Sequence, residues 1–361
     1  AVVKLGGVAV PTPGGEWEEG IMLETPTGPQ MQFYWAEDEQ PVVGPMEGNI
    51  VLIHMGRCGS TLVQRYITFL LFPGGEIENV MEVLQEAKVL PAMRKFLEVS
   101  RRGDTRDLER LEEQIGLRYD PDEFRLDSDD PLAIYDPGMS LQFDEMSRRS
   151  EEEYRALVYA MRLLTAVPAN TNRVATLNSV KIWSICGVGF PVDQYLEALH
   201  EAGMRHVVVF HRNYLRRLLS SLAADINRVW HVMLDMENKN CKQPVEVNVH
   251  KQQKCDPGRT HSMTDLFELA DSAYREIFVG TGARLFPDAV VVSYENDIYS
   301  SGGGQALRKI ARHFGIDTAP LAEVRDLYTK TTDCALGDVI ENFDEVTDML
   351  VNTRWQYCLE L

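Results

Sequence analysis

The chemistry available to this 361-residue chain is concentrated in two clusters of cationic and hydroxyl side chains. The first is Gly56-Arg57-Cys58-Gly59-Ser60-Thr61, after the apolar run Asn49-Ile50-Val51-Leu52-Ile53-His54 and before a helical pattern from Leu62 to Leu71. Backbone N–H groups of a glycine turn that opens a helix form a nest for a phosphate. Ser60 and Thr61 add hydroxyl donors, and Arg57 adds a planar, permanently charged fork. A nucleoside-triphosphate loop of the form GxxxxGK[ST] needs a different spacing and a Lys before Ser60, where Gly59 stands. The turn therefore suits a phosphate held without the usual Lys and magnesium arrangement, and its competing reading is a purely structural turn. The second cluster is Arg212-Asn213-Tyr214-Leu215-Arg216-Arg217-Leu218-Leu219-Ser220. Arg212 leaves a strand end and Ser220 lies about two helical turns deeper, so both reach one anion over the start of that helix. Arg216 and Arg217 strengthen the local field. Taken alone, an Arg at a strand end is as well read as a surface salt bridge.

Together the two clusters resemble the sulfotransferases that use 3′-phosphoadenosine-5′-phosphosulfate (PAPS). In that family a loop of the type Arg-x-Gly-[Ser/Thr]-Thr after the first strand binds the 5′-phosphosulfate. Here it reads Arg57-Cys58-Gly59-Ser60-Thr61-Leu62. An Arg after a central strand, with a Ser eight residues later, binds the 3′-phosphate; here these are Arg212 and Ser220. Tyr214 stands where the family often has Pro, a local departure in the turn. The resemblance covers residues 49–361 and implies a P-loop NTPase-like sulfotransferase fold. It implies transfer of a sulfuryl group from PAPS to a hydroxyl, less readily an amine, with adenosine 3′,5′-bisphosphate as product and no metal. It is silent on the acceptor, which the acidic balance suits to a small molecule, with a carbohydrate as the alternative.

An acceptor hydroxyl needs a base. The family uses either a Glu about twenty residues after the loop or a His near the second strand. Glu78 has the expected spacing, with Glu76 as its alternative and His54 and His211 as strand-end candidates. The competing reading of Glu76 and Glu78 is that they favour the N-terminus of a helix beginning near Asn79. Lys181 is a charge inside the apolar pattern Val180-Lys181-Ile182-Trp183, where burying an unpaired ammonium is costly. It is read as pointing from the strand end toward the cofactor phosphates, as the resemblance supports, with a structural ion pair as the alternative. Trp183 is a core residue or an adenine-stacking one. Lys330 and Thr331 are the candidates for the C-terminal segment that closes over the 3′-phosphate in related chains. Tyr294 and Glu295 look like the family's Tyr-Glu pair, structural rather than catalytic.

Strands alternating with helices must position these groups. Strands are expected at 49–54, 179–183, 205–211 and 289–293. Helices are expected at 62–71, 192–202 capped by Gly203, 214–236, 262–280, and from after Gly302-Gly303-Gly304 through Phe314, capped by Gly315. That alternation calls for an α/β protein of three layers, a central parallel sheet with helices on both faces. Residues 1–48 form an N-terminal extension of loops with a candidate hairpin around Met31-Gln32-Phe33-Tyr34-Trp35. Residues 237–261 read as a polar surface loop.

Composition narrows the function classes. The chain carries 55 acidic against 36 basic residues, a formal charge of -19, with 44% apolar and 25% charged residues. That balance disfavours a general nucleic-acid binder. Residues 104–153 hold 17 acidic and six basic side chains, read as a solvated face and, alternatively, as a surface for a cationic partner. The apolar runs fall short of the roughly 20 residues of a membrane span. Six scattered cysteines lack zinc spacing; Cys241 and Cys255 are read as free thiols, with a disulfide loop as the alternative. A cytoplasmic location is favoured, with a lumenal domain or a piece of a larger biosynthetic assembly as alternatives. The rival functions are a nucleotide kinase-like phosphotransferase and a non-catalytic nucleotide-binding module.

Overall fold

The computed structural model describes residues 3–11, 17–25, 28–30, 48–72, 75–80, 84, 86–103, 105–113, 115, 148–167, 172–182, 185, 188–227, 232–233, 244–250, 262–299, 304–316, 328–329 and 335–360. Three N-terminal strands, β1 (Val3–Pro11), β2 (Trp17–Thr25) and β3 (Gly28–Gln30), form a small antiparallel sheet of their own. The candidate hairpin at Met31–Trp35 lies outside the described residues.

The body of the protein is an all-parallel sheet of five strands. They are β4 (Asn49–His54), β5 (Ile77–Val80), β6 (Ala175–Lys181), β7 (Met204–His211) and β9 (Val290–Ser293), in the spatial order β5-β6-β4-β7-β9. A further short strand, β8 (Val232–Met233), pairs antiparallel with β10 (Tyr328–Thr329). Helices connect the parallel strands: α1 (Ser60–Tyr66), α2 (Glu86–Arg102), α3 (Thr105–Glu113), α4 (Glu151–Thr165), α5 (Val192–Glu201), α6 (Tyr214–Asn227), α7 (Met263–Phe278), α8 (Thr281–Leu285) and α9 (Gly304–His313). Two short helices close the chain, α10 (Leu336–Val339) and α11 (Phe343–Leu350), before a 3₁₀ turn at Gln356–Leu359.

The continuous apolar run of β4 is explained by burial on both sides, as parallel strands require. Ile50 and Leu52 enter one core with Val63 of α1 and Leu307 and Ile310 of α9. Val51 and Ile53 enter the other, with Phe96 of α2, Leu157 of α4, Leu196 of α5, Leu218 of α6 and Phe267 of α7. Helices thus cover both faces of the sheet.

Sequence and structure part company at β6 and at the helix after β7. β6 starts at Ala175 rather than near Ser179, because its first half buries polar residues that hydrogen-bond within the sheet, Asn178 Oδ1 excepted. Asn178, fully buried, donates through Nδ2 to the Ile50 carbonyl at 3.2 Å and to Thr176 Oγ1 at 2.9 Å. The helix after β7 ends at Asn227, short of the Met236 that its periodicity suggested, and Val232–Met233 is strand instead.

Candidate functional site

Chain order locates a crevice in this sheet. From β4 the chain runs to β5 at one edge; from β7 it runs to β9 at the other. Adjacent strands whose connections leave in opposite directions define a topological switch point, where open α/β sheets bind ligands at the strand carboxyl ends. β4 and β7 are those neighbours, paired in parallel from Ile50 with His206 to Ile53 with Val209. The two cationic motifs begin at their carboxyl ends.

The first motif turns through three left-handed residues, Gly56 at φ 78°, Arg57 at φ 57° and Gly59 at φ 77°. Arg57 is the one non-glycine of the three, and such a conformation in an ordinary side chain marks local strain that its surroundings must hold. They do so through hydrogen bonds. The Gly56 N–H donates to His54 Nδ1 at 2.9 Å, which leaves the proton of neutral His54 on Nε2, donating to Ser179 Oγ at 2.7 Å. Helix α1 then starts from the Gly59 carbonyl, which accepts from Val63 N–H at 3.1 Å. Gly59 is required twice over: a Cβ there would stand 2.8 Å from Ile298 Cδ1 as well as violating φ. Cys58 is fully buried in the core beside α1, and burial pushes its thiol up against the opposing pull of Ser60, Arg212 and Arg217. Its side chain is therefore packing, not a thiolate ligand. Leu62 packs against the same core.

The second motif reaches back onto the first. Arg57 Nε donates to Ser220 Oγ at 3.2 Å. The Arg212 guanidinium donates to the Arg57 carbonyl, and Arg217 Nη2 donates to the Met55 carbonyl at 3.0 Å. Arg212, Arg217 and Ser220 are all buried. Arg212 also lies over the Tyr294 ring, its Cζ 4.0 Å from the centroid. Asn213 caps α6, its Oδ1 accepting from Arg216 N–H at 3.1 Å, while its own N–H donates to Glu295 Oε1 at 3.0 Å. Burial raises the Glu295 carboxyl, opposed by the Asn213 hydrogen bond and by Arg212 and Arg216. The donor set is thus several guanidinium groups and two buried serines, with one nearby carboxylate already engaged by backbone. Chemically it fits a compact polyanion rather than a cation or an apolar ligand.

The remaining sequence-selected residues divide sharply. Lys181 ends β6 opposite His54, and a Cβ on Gly56 would lie 3.9 Å from its Cε, so Lys181 borders the loop. Glu78 is not brought there. It sits in β5 paired with Thr176, at the level of Asn49 and five residues below the pair His54–Lys181. At roughly 3.3 Å per residue that is about 16 Å along the strand from the carboxyl edge. The expected helix near Asn79 is strand β5 instead. Glu76 precedes the same strand, exposed, with its carbonyl accepting from Val174 N–H. A parallel strand delivers functional residues after its end, and the first acid after Val80 is Glu82, which lies outside the described residues. Lys330, Thr331, Trp183, Cys241 and Cys255 also lie outside them. His211 packs between the Tyr214 and Tyr274 rings, where burial holds its imidazole down to about 4.

The roles of Ser179 and Ile298 were not foreseen from sequence. The only signal for Ser179 was a hydroxyl one strand away from a strand-end His; Ile298 gave none. Among the described residues no group of three or more His, Cys, Asp or Glu is arranged to hold a metal, and no helix is long and apolar enough to cross a membrane. Comparison with protein-family models, curated proteins and solved structures returns no match.

Proposed function

We propose that this protein is a PAPS-dependent sulfotransferase acting on a hydroxyl of a small-molecule or carbohydrate acceptor. The observation that carries the reading is the hydrogen bond from Arg57 Nε to Ser220 Oγ, 3.2 Å long across 163 positions. It joins the two motifs of the family resemblance into one cationic site at the switch point of the sheet. The loop lacks a Lys before Ser60, which argues against the phosphotransferase alternative.

When bound, PAPS supplies an activated sulfuryl group on a phosphate that leaves as adenosine 3′,5′-bisphosphate. Arg57 and the backbone from Gly59 to Thr61 hold the 5′ end, and Arg212 with Ser220 holds the 3′-phosphate. Lys181, beside Gly56, neutralises negative charge at the 5′ end. Burial of Arg212 and Ser220 excludes water from these contacts and strengthens them.

Calorimetric titration with adenosine 3′,5′-bisphosphate tests the reading. Saturable binding supports it, and no binding at millimolar ligand overturns it. Turnover of PAPS against a panel of alcohols and sugars then separates an enzyme from a nucleotide-binding module.

A further inference from the structure

Between the two cationic motifs lies a third element that belongs to neither. The chain leaving β9 winds as a π-helical turn over Tyr294–Tyr299, a rare conformation that recurs at functional sites. This turn touches both motifs. Ile298 fills the space beside Gly59, Glu295 accepts the Asn213 N–H, and the Tyr294 ring lies under Arg212. Its own position is fixed by Asp297, which accepts from Ser293 N–H at 2.8 Å and pairs with Lys309 of α9 at 2.8 Å.

We propose that Tyr294 is a positioning residue for Arg212, its ring face setting the plane in which the guanidinium fork meets the 3′-phosphate of the nucleotide. The inference rests on the sulfotransferase reading of the site. A guanidinium is planar, and its five N–H donors all lie in that plane. The Tyr294 ring takes the face and uses none of them. The Arg57 carbonyl takes one edge. A face contact and an edge contact together fix a planar group in orientation, where either alone leaves a rotation. A carboxylate in place of the ring would occupy N–H donors and cancel charge that the anion needs. Glu295, the neighbouring carboxylate, is instead engaged by the Asn213 N–H. The aromatic face thus supplies the restraint on Arg212 that the edge contact lacks, and the phenol hydroxyl is dispensable.

The test compares adenosine 3′,5′-bisphosphate with adenosine 5′-phosphate, which lacks the 3′-phosphate, by calorimetry on the full chain. Tyr294→Phe keeps the ring and is expected to bind the bisphosphate within about twofold of the unaltered protein. Tyr294→Leu is expected to bind the bisphosphate about tenfold more weakly, with the monophosphate affinity unchanged. Tyr294→Met repeats the comparison if the Leu variant is unfolded by scanning calorimetry. Equal losses for both nucleotides, or no loss for either, overturn the proposal. An unaltered protein that binds neither nucleotide overturns the sulfotransferase reading itself, a result distinguishable from failure of Tyr294 alone.

Discussion

Arg57 and Ser220 meet through a 3.2 Å hydrogen bond at the one point where the connections of the sheet diverge. The contact holds an Arg in a left-handed conformation, φ 57°, and ties it to the helix that follows β7. Ser220→Ala removes a fully buried acceptor of a charged donor, an interaction of about 1.5–3 kcal/mol. We expect the affinity for adenosine 3′,5′-bisphosphate to fall at least tenfold, measured by calorimetry. Arg212→Ala should abolish measurable binding. An unchanged affinity in Ser220→Ala would remove Ser220 from the site.

Gly59 limits how the loop can be varied. Gly59→Ala combines a left-handed φ with a Cβ 2.8 Å from Ile298 Cδ1, two costs that together amount to about 2–3 kcal/mol. Adding Ile298→Val deletes the Cδ1 atom and should recover the steric part, leaving the backbone part of about 1–2 kcal/mol. Urea unfolding of the single and double variants separates the two. A double variant no more stable than Gly59→Ala would show that Ile298 does not press on the loop.

Much of this architecture was legible because the chemistry of the motifs and their structural signals coincide. An apolar run followed by Gly56, Gly59 and a helical pattern marks strand, turn and helix, and the expectation of a phosphate there rests on the same residues. The helix of Ser262 and Asp265 was legible for a similar reason, its capping box being local in sequence. What stayed hidden depends on register. Nothing in Ile77-Glu78-Asn79-Val80 announces an edge strand, still less that Glu78 pairs with Thr176 far from the loop. Spacing counts residues along the chain, whereas the site is assembled at one end of a sheet. Asn178 and Thr176 lay outside the apolar run that marked the strand at 179–183, since their burial rests on a hydrogen bond between them that an apolar pattern does not show.

The register of β5 makes a direct prediction about the base. Glu78→Gln should leave turnover within about twofold, because the residue stands roughly five strand positions below the carboxyl edge. A fall in kcat of about a hundredfold or more in Glu78→Gln would restore it as the base.

Stability should fall in mild acid for a reason unrelated to the site. His206 Nδ1 and His313 Nε2 lie 3.3 Å apart in a buried pair against Phe314. Burial, with His206 beside it, holds the His313 imidazole down to about 4, against about 6.5 when exposed. Burial lowers His211 to about 4 as well. The unfolded chain therefore binds more protons than the folded one between these values. Stability is fully present above pH 6.5 and is lost as pH falls toward 4, by at most about 3 kcal/mol per histidine. His313→Leu should flatten a urea-unfolding series over that interval by about half. A slope identical to that of the unaltered protein would exclude His313 as a source.

Asn213 sets the last prediction, because its side chain is used at both ends. Oδ1 caps α6, and Nδ2 donates to the Cys358 carbonyl at 3.1 Å, joining the C-terminal turn to the anion motif. By N-cap preference alone, Asp at this position should be as good as Asn and better than Ala by about 1 kcal/mol. The surroundings reverse that order. Asn213→Asp keeps the capping acceptor but turns a donor into an oxygen facing the Cys358 carbonyl, within a buried site that already holds Glu295. Such a carboxylate is desolvated and faces like partial charge, so it titrates above the usual range. We expect Asn213→Asp to be less stable than Asn213→Ala at pH 7 by about 1–2 kcal/mol. The gap should close as pH falls and the new carboxyl takes up a proton, with the crossover read from urea midpoints between pH 7 and pH 4. An Asp variant as stable as the unaltered protein at pH 7 would mean that the C-terminal turn does not lean on Asn213.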